Sequence, residues 1–304
     1  MGGLVQLFPD PRTTERTGPR LPEWLRNPRT NFESVQHLKN ELRGLRLHTV
    51  CESARCPNLH ECFHRGSATF MILGNLCTRG CGFCSVPKSR HPGPLDAGEP
   101  ANVARMARAM KLRYVVITSV NRDDLPDGGS AHFAETVRAV HQALPDARVE
   151  VLTPDFRGDL DAVARVLDAA PDVFNHNVET VPRLYRTVRP QADYRQSLNV
   201  LRFAKRYRGV TKSGAMLGLG ETIDEVEELL RDLRAADVDI ATLGQYLQPT
   251  RRHLPVAEYI APEQFERYRD YGLSIGFRSV FSGPLVRSSY MADVLLDSSG
   301  AWPS

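Results

Sequence analysis

Thr69-Phe-Met-Ile-Leu-Gly-Asn-Leu-Cys77-Thr-Arg-Gly-Cys81-Gly-Phe-Cys84 is the stretch on which the fold turns. Its apolar start, residues 69–73, reads as a β-strand. Directly behind it comes Cys-x3-Cys-x2-Cys. Three thiolates in one tight loop suit an iron–sulfur cluster, which ordinarily takes four protein ligands. Three ligands leave one iron open to a substrate or cofactor. Zinc also favours close cysteine pairs, but a structural zinc site closes with four ligands. On ligand type alone, His60 or His64 would complete a zinc set.

Upstream lies a second group, Cys51-(x4)-Cys56-(x5)-Cys62, and the two groups together use all six cysteines of the chain. The x4 and x5 gaps do not stack three thiols on one helical face. They fit a loop wrapped round a metal centre, with a fourth ligand drawn from elsewhere in the chain.

Downstream, strand and helix patterns alternate. Residues 114–120, 148–153, 173–180, 210–217 and 240–247 read as strands two to six. The first helix opens at Pro100, a good first-turn residue, with Val103, Met106, Ala107 and Met110 on one face. Phe133, Val137, Val140 and Leu144 mark the second. A later helix runs from Asp193 to Tyr207. Thr222-Ile-Asp-Glu225 is a capping box for another, and a last one begins near Pro262. Before the cysteines, residues 32–45 carry apolar positions at helical spacing and read as a packing helix. Six strand–helix units in alternation argue for a parallel sheet. A full barrel of this kind has eight units, so six leave it open. Chemistry in such folds sits at the C-terminal strand ends. Polar residues gather there: Ser119, Asn121, Asp123, Asp124, Thr153, Asp155, Asn175, Asn177, Glu179, Glu221, Gln245 and Gln248. Asn175-His176-Asn177-Val178-Glu179 inside a buried strand is costly unless those groups meet ligands.

The 304 residues are enough for one large α/β barrel or two ordinary domains, with a sizeable core. Hydrophobic residues at 41% and charged residues at 25% are ordinary for a globular protein. A net charge of +3 is too small to argue for nucleic acid. No stretch approaches ~18 consecutive apolar residues, as a membrane span needs. The N-terminus has no basic region followed by an apolar run, and Gln6 stands where myristoylation needs Ser or Thr. The expectation is a cytoplasmic protein that binds neither membrane nor nucleic acid. In a reducing compartment, clustered cysteines read as metal ligands before disulfides.

The triad after the first strand of such a chain resembles the radical S-adenosylmethionine (SAM) superfamily. Gly214-x-Met216-x-Gly218-x-x-Glu221 is similar to that superfamily's fifth-strand motif. The upstream cysteines, within Cys51-Glu-Ser-Ala-Arg-Cys-Pro-Asn-Leu-His-Glu-Cys62, look like the auxiliary-cluster motif of the lipoyl synthase family. Thr69-Phe-Met-Ile-Leu-Gly74 and Arg287-Ser-Ser-Tyr290 also resemble that family, over about residues 22–293. The resemblance implies a partial (βα)6 TIM-like barrel at 67–275. An N-terminal extension, 1–66, would bind a cluster, and a C-terminal segment, 276–304, would supply a serine.

It further implies two 4Fe-4S clusters and SAM. Cys77, Cys81 and Cys84 would hold the SAM-binding cluster. Cys51, Cys56, Cys62 and Ser289, with Ser288 as the alternative, would hold the sulfur donor. SAM cleavage would yield a radical that abstracts hydrogen at C6 and then C8 of an octanoyl-lysine on a carrier protein, and sulfur would enter at both. Phe83, Asn121, Asn175, Asn177, Glu179, Arg189, Gly218 and Glu221 are the expected SAM contacts, Arg189 being more readily read as a surface ion pair. Met216, Leu217, Leu219 and Tyr246 are candidates for the acyl pocket. Expected partners are octanoylated carrier domains (2-oxoacid dehydrogenase E2 or glycine cleavage H protein), a reductant such as flavodoxin or ferredoxin, and an iron–sulfur carrier. Arg183, Arg186, Arg202, Lys205, Arg206 and Arg208 offer a surface for an acidic carrier. Two other readings compete. A methylthiotransferase-like enzyme usually adds a substrate-binding module, for which no segment is spare. A zinc-stabilised protein without catalysis is the second.

Overall fold

The computed structural model describes residues 21–25, 39–53, 58 and 69–289. Cys56, Cys62, Tyr290 and most of the N-terminal extension lie outside the described residues. Eight strands form one sheet in chain order: β1 His48–Thr49, β2 Thr69–Ile72, β3 Tyr114–Ser119, β4 Arg148–Leu152, β5 Val173–Asn175, β6 Val210–Leu217, β7 Ile240–Gln245 and β8 Ser279–Gly283. β1 pairs antiparallel to β2. Every later pair is parallel. The six strands read from the sequence are β2 to β7. β8 follows them inside the segment 276–304 and extends the sheet beyond β7.

Among the described residues, the longer helices connecting the parallel strands are α1 Glu99–Ala109, α2 Ser130–Ala143, α3 Leu160–Asp168, α4 Tyr194–Tyr207, α5 Ile223–Ala235 and α6 Pro262–Ser274, with a short helix at Tyr185–Val188 before α4. Their starts follow local chemistry. Pro100 sits in the first turn of α1. Asp193 caps α4 by accepting from the Gln196 N–H. Thr222 and Glu225 form the reciprocal capping box of α5. Val103, Met106, Phe133, Val137 and Val140 are buried as the helical spacing requires. Of the expected packing helix, residues 39–44 are described and helical, with Leu42 buried. No described helix is long and apolar enough to cross a membrane.

The strands alternate between two buried faces. Val115 and Ile117 of β3 and Val149 and Val151 of β4 join one apolar core, while Ala215 and Leu217 of β6 join another with α5 and α6. The opposite face is polar. There Lys212 of β6 lies 3.1 Å from both oxygens of Glu150 on β4. Tyr114 Oη and Asn175 Nδ2 also donate to Glu150, at 2.6 and 2.9 Å. The sheet's inner polar residues therefore partly satisfy one another, which corrects the expectation that each needs a ligand.

The expected fourth strand, 173–180, stops at Asn175. His176 to Thr180 leave strand geometry, Glu179 takes φ 68°, and a lone bridge joins Glu179 to Ala215. No pairing joins β8 to β1 or β2. The chain beyond β8 crosses that gap instead. Asn58 Nδ2 donates to the Leu285 carbonyl at 2.8 Å, and Thr69 Oγ1 to Ser289 Oγ at 2.9 Å.

Candidate functional site

One cavity of about 420 Å³ opens at the C-terminal strand ends, within the usual size for a small-molecule site. Cys77, Cys81 and Cys84 line it, as do Cys51, Ser288 and Ser289. The triad, Cys51 of the upstream group and both candidate serines thus face one space, brought there from segments far apart in sequence.

The triad loop is held by buried electrostatics. Arg79, between the first two cysteines, is 5% exposed. Its Nε and Nη2 grip Asp123 at 2.7 and 2.8 Å. Its Nη1 donates to Asp155 at 3.0 Å. Burial alone would lower the Arg79 pKa, but Asp123 and Asp155 outweigh it and raise it. Burial likewise opposes the charge of Asp155, yet Arg79 holds that carboxyl far below the usual range. The loop is therefore pinned to the exits of β3 and β4. The Asn121 N–H points at Cys77 Sγ from 3.3 Å. His253 Nε2 lies 3.1 Å from the Cys84 carbonyl. A Cβ on Gly82 would come within 2.9 Å of Leu254, so the loop has no room for a side chain there.

Burial pushes the Cys81 thiol up, and the Cys84 thiol up to about 11. Soft sulfur donors in such a place need a metal to displace their protons. Among the described residues, no three His, Cys, Asp or Glu side chains converge on a single ion. Three cysteines around a shared cavity are a donor set that fits an iron–sulfur cluster.

The wall beside β5 holds the other polar groups. Arg189 is buried, and its Nη1 donates to the carbonyls of Asn177 and Val178 at 2.9 and 3.3 Å. The surface ion pair expected for it is not what the structure shows. Burial opposes the Arg189 charge, but Tyr185, Glu179 and Cys81 outweigh it. Burial raises the Glu179 carboxyl pKa against the pull of Arg189. Asn177 Nδ2 reaches Glu179 at 3.2 Å and Ser288 Oγ at 3.0 Å. His176 Nδ1 lies 2.9 Å from the Thr153 carbonyl, so Nδ1 carries the hydrogen and Nε2 is the acceptor. Burial, then Arg189, brings this imidazole down to about 4. Ser119 Oγ, Thr153 Oγ1, His176 Nε2, Asn177 Oδ1 and Arg189 Nε are buried in this wall with no protein partner. Buried polar atoms are seldom left unpaired, so the wall fits a ligand rich in hydrogen-bonding groups.

Of the expected contacts, Phe83, Asn121, Asn177, Glu179 and Arg189 line the cavity. Asn175 does not: its Nδ2 donates to Glu150, and its Oδ1 is buried without a protein partner. Gly218 and Glu221 do not either. The Glu221 carboxylate accepts from the Gly218 and Leu219 N–H groups and closes the turn after β6. Met216 and Tyr246 line the cavity, whereas Leu217 is core. Sequence reasoning missed Arg79 and the tautomer of His176. A charged residue inside a cysteine loop was the available signal for the first. The second needed the position of Thr153.

A family model for the radical SAM superfamily matches residues 71–233, and one for the N-terminal domain of lipoyl synthase matches residues 10–56. A lipoyl synthase of Rubrobacter xylanophilus is 56% identical over 284 residues, covering 93% of this chain and 88% of that one. Another from Thermus thermophilus is 54% identical, covering 96% and 90%. Among solved structures, methylornithine synthase (PylB) superposes with TM-score 0.53 at 18% identity, over 68% of this chain and 61% of that one. The [FeFe]-hydrogenase maturase HydG gives 0.52 at 15%, over 76% and 62%. At such identities these two structures speak for the fold alone.

Proposed function

The chain belongs to the lipoyl synthase family of the radical SAM superfamily, and from that premise we infer how its own residues divide the work. It is a sulfur-inserting enzyme that acts at C6 and C8 of a protein-bound octanoyl group, using SAM and two 4Fe-4S clusters. When bound, these cofactors supply the hydrogen-abstracting radical and the sulfur. The protein supplies placement, dryness and fixed dipoles.

Cys77, Cys81 and Cys84 hold the SAM-binding cluster in this reading, and the Asn121 N–H stabilises charge on the Cys77 sulfur. Asn177, Glu179, Arg189 and His176 face SAM. Their unpaired atoms and the neutral, acceptor-only Nε2 support a ligand bearing hydroxyl and amino groups. Cys51, Cys56, Cys62 and Ser289 hold the donor cluster. Its seat is a hard oxygen among soft thiolates, a weak ligand suited to a cluster that gives up sulfur. Ser288 shares the cavity, accepting from Asn177 as Ser289 accepts from Thr69; the choice of Ser289 rests on the family resemblance. Met71, Val120, Leu152, Met216 and Leu247 give the acyl chain an apolar wall.

The single observation that carries this division is that Cys77, Cys81, Cys84, Cys51 and Ser289 share one cavity. Its carriers are E2 or H-protein domains, its reductant a flavodoxin or ferredoxin, an iron–sulfur carrier rebuilds the donor cluster, and its compartment is the cytoplasm. The carrier domain does not use the basic end of α4. Lys205 there is tied to Asp239, and that end precedes β6 at the opposite side of the sheet. β6 spans about 26 Å, whereas a lysine plus an octanoyl chain reaches roughly 15 Å.

The test is anaerobic. Reconstituted protein receives SAM, dithionite and an octanoyl-lysine peptide, and mass spectrometry follows peptide and 5′-deoxyadenosine together. Wild type should release deoxyadenosine and add two sulfurs. Cys51→Ala should release deoxyadenosine and add none, and Cys77→Ala should do neither. Sulfur insertion by Cys51→Ala would overturn the assignment of the two clusters.

A further inference from the structure

The Cys77–Cys84 loop faces the cavity on one side and solvent on the other. Two hydrogen bonds of its backbone lie at the surface: Gly80 N–H to Gln191 Oε1 at 2.6 Å, and Lys88 Nζ to the Cys81 carbonyl at 3.5 Å. Three chain segments clasp this outer side. Residues 85–92 run beside it, with Cys77 N–H donating to the Pro87 carbonyl and Ser89 N–H to the Cys77 carbonyl. Residues 182–192 meet it where Gly82 N–H donates to the Val188 carbonyl at 2.9 Å. Residues 249–254 meet it where Leu254 N–H donates to the Gly82 carbonyl at 3.1 Å.

None of these three segments contains an Asp or Glu, although acids (36) nearly equal Lys and Arg (39) in the whole chain. Each presents exposed bases: Lys88 and Arg90, Arg186, and Arg252. Acids near the loop are engaged elsewhere: Asp124 pairs with Arg122, and Glu179 faces the cavity beside Arg189 and Asn177. Asp123 and Asp155 pair with Arg79, and Asp96 lies 3.3 Å from Arg46. The result is a ring of exposed bases around the outer side of the loop that carries the three cysteines.

We propose that this ring is the docking surface for an acidic one-electron carrier protein. The proposal rests on the family reading above, because that reading requires an electron to arrive at this loop for each SAM cleaved. The donor is oxidised by one electron and the cluster at Cys77, Cys81 and Cys84 is reduced by one. Transfer falls steeply with distance, and Gly80 and Cys81 of the loop make hydrogen bonds at the surface here. Charge complementarity of this kind acts mainly on encounter rate.

The experiment uses the full chain with both clusters reconstituted and compares two reductants, a reduced flavodoxin and dithionite. Arg90→Glu, Arg186→Glu and Arg252→Glu are combined in one variant. Flavodoxin-driven deoxyadenosine formation should fall about tenfold or more, within the usual range for electrostatic steering. Dithionite-driven turnover and the KM for octanoylated carrier should stay within about twofold of wild type. In wild type, raising salt should slow the flavodoxin-driven reaction alone. Equal rates of flavodoxin-driven turnover in variant and wild type would overturn the proposal. So would a rise in carrier KM with flavodoxin kinetics intact, which would give the surface to the acyl carrier. If wild type releases no deoxyadenosine even with dithionite, the family reading fails, and this proposal fails with it.

Discussion

Arg79 and His176 show how single residues set the site. Arg79 neutralises two carboxylates beside the cysteine loop, and removing one partner of a buried pair leaves uncompensated charge. Arg79→Gln should therefore cost about 3–5 kcal/mol in urea unfolding. Asp155 adds a pH signature. Its folded pKa is depressed, so its contribution is present above the unfolded carboxylate value of about 4 and lost as pH falls below it. The acid-side slope of stability should flatten in Arg79→Gln. His176 works over a different window. Its folded pKa is about 4, against about 6.5 in the unfolded chain. The unfolded chain takes up the proton first, so stability is full above about 6.5 and declines as pH falls toward 4. The urea midpoint should drop less between pH 7 and 5 in His176→Gln than in wild type. An equal drop would show that His176 is not held neutral.

At the scale of elements, strand β7 and the segment behind β8 fit through a missing side chain. A Cβ on Gly244 would lie 2.0 Å from the Val286 carbonyl oxygen. That close pass delivers Arg287, Ser288 and Ser289 into the cavity. Gly244→Ala should displace the segment, leaving dithionite-driven SAM cleavage within about twofold while sulfur insertion falls at least tenfold. Unchanged insertion would mean that the serines are seated independently of β7. Strands β4 and β6 are linked by Glu150 and Lys212, which are 0% and 1% exposed. Lys212→Met strands a carboxylate and should cost about 3–5 kcal/mol. Adding Glu150→Gln should recover much of that, since Tyr114 and Asn175 still occupy the amide. Chemical denaturation of the single and double variants measures the coupling.

For the molecule as a whole, the sheet is open between β8 and β1–β2, and the gap is spanned by single hydrogen bonds such as Thr69 to Ser289. The cavity sits against that seam, so cofactors bound there tie both edges of the sheet. A ligand that binds only the folded state stabilises it by mass action. Cluster reconstitution should raise Tm, and SAM should raise it further in proportion to the logarithm of its concentration. Cys77→Ala should abolish the SAM increment. A Tm indifferent to both cofactors would show that they do not bridge the seam.

The six strand–helix units, their caps and the cysteine triad behind the first strand are legible in the chain's local pattern, because these depend on neighbours a few residues apart. Pro100, Thr222-x-x-Glu225 and the alternating apolar runs need no distant partner to be read. Spacing and resemblance also made Cys51 and the two serines candidates for one centre. Which polar residues at the strand ends face the cavity is set by long-range packing. Asn175 and Asn177 are two apart, yet one closes a buried ion pair and the other meets Ser288. β5 ends between them, and the partners that claim each side chain come from β4 and from beyond β8. Burial of Arg189, neutrality of His176 and the crossing of residue 286 over Gly244 are likewise long-range outcomes, fixed by which strands the chain brings side by side.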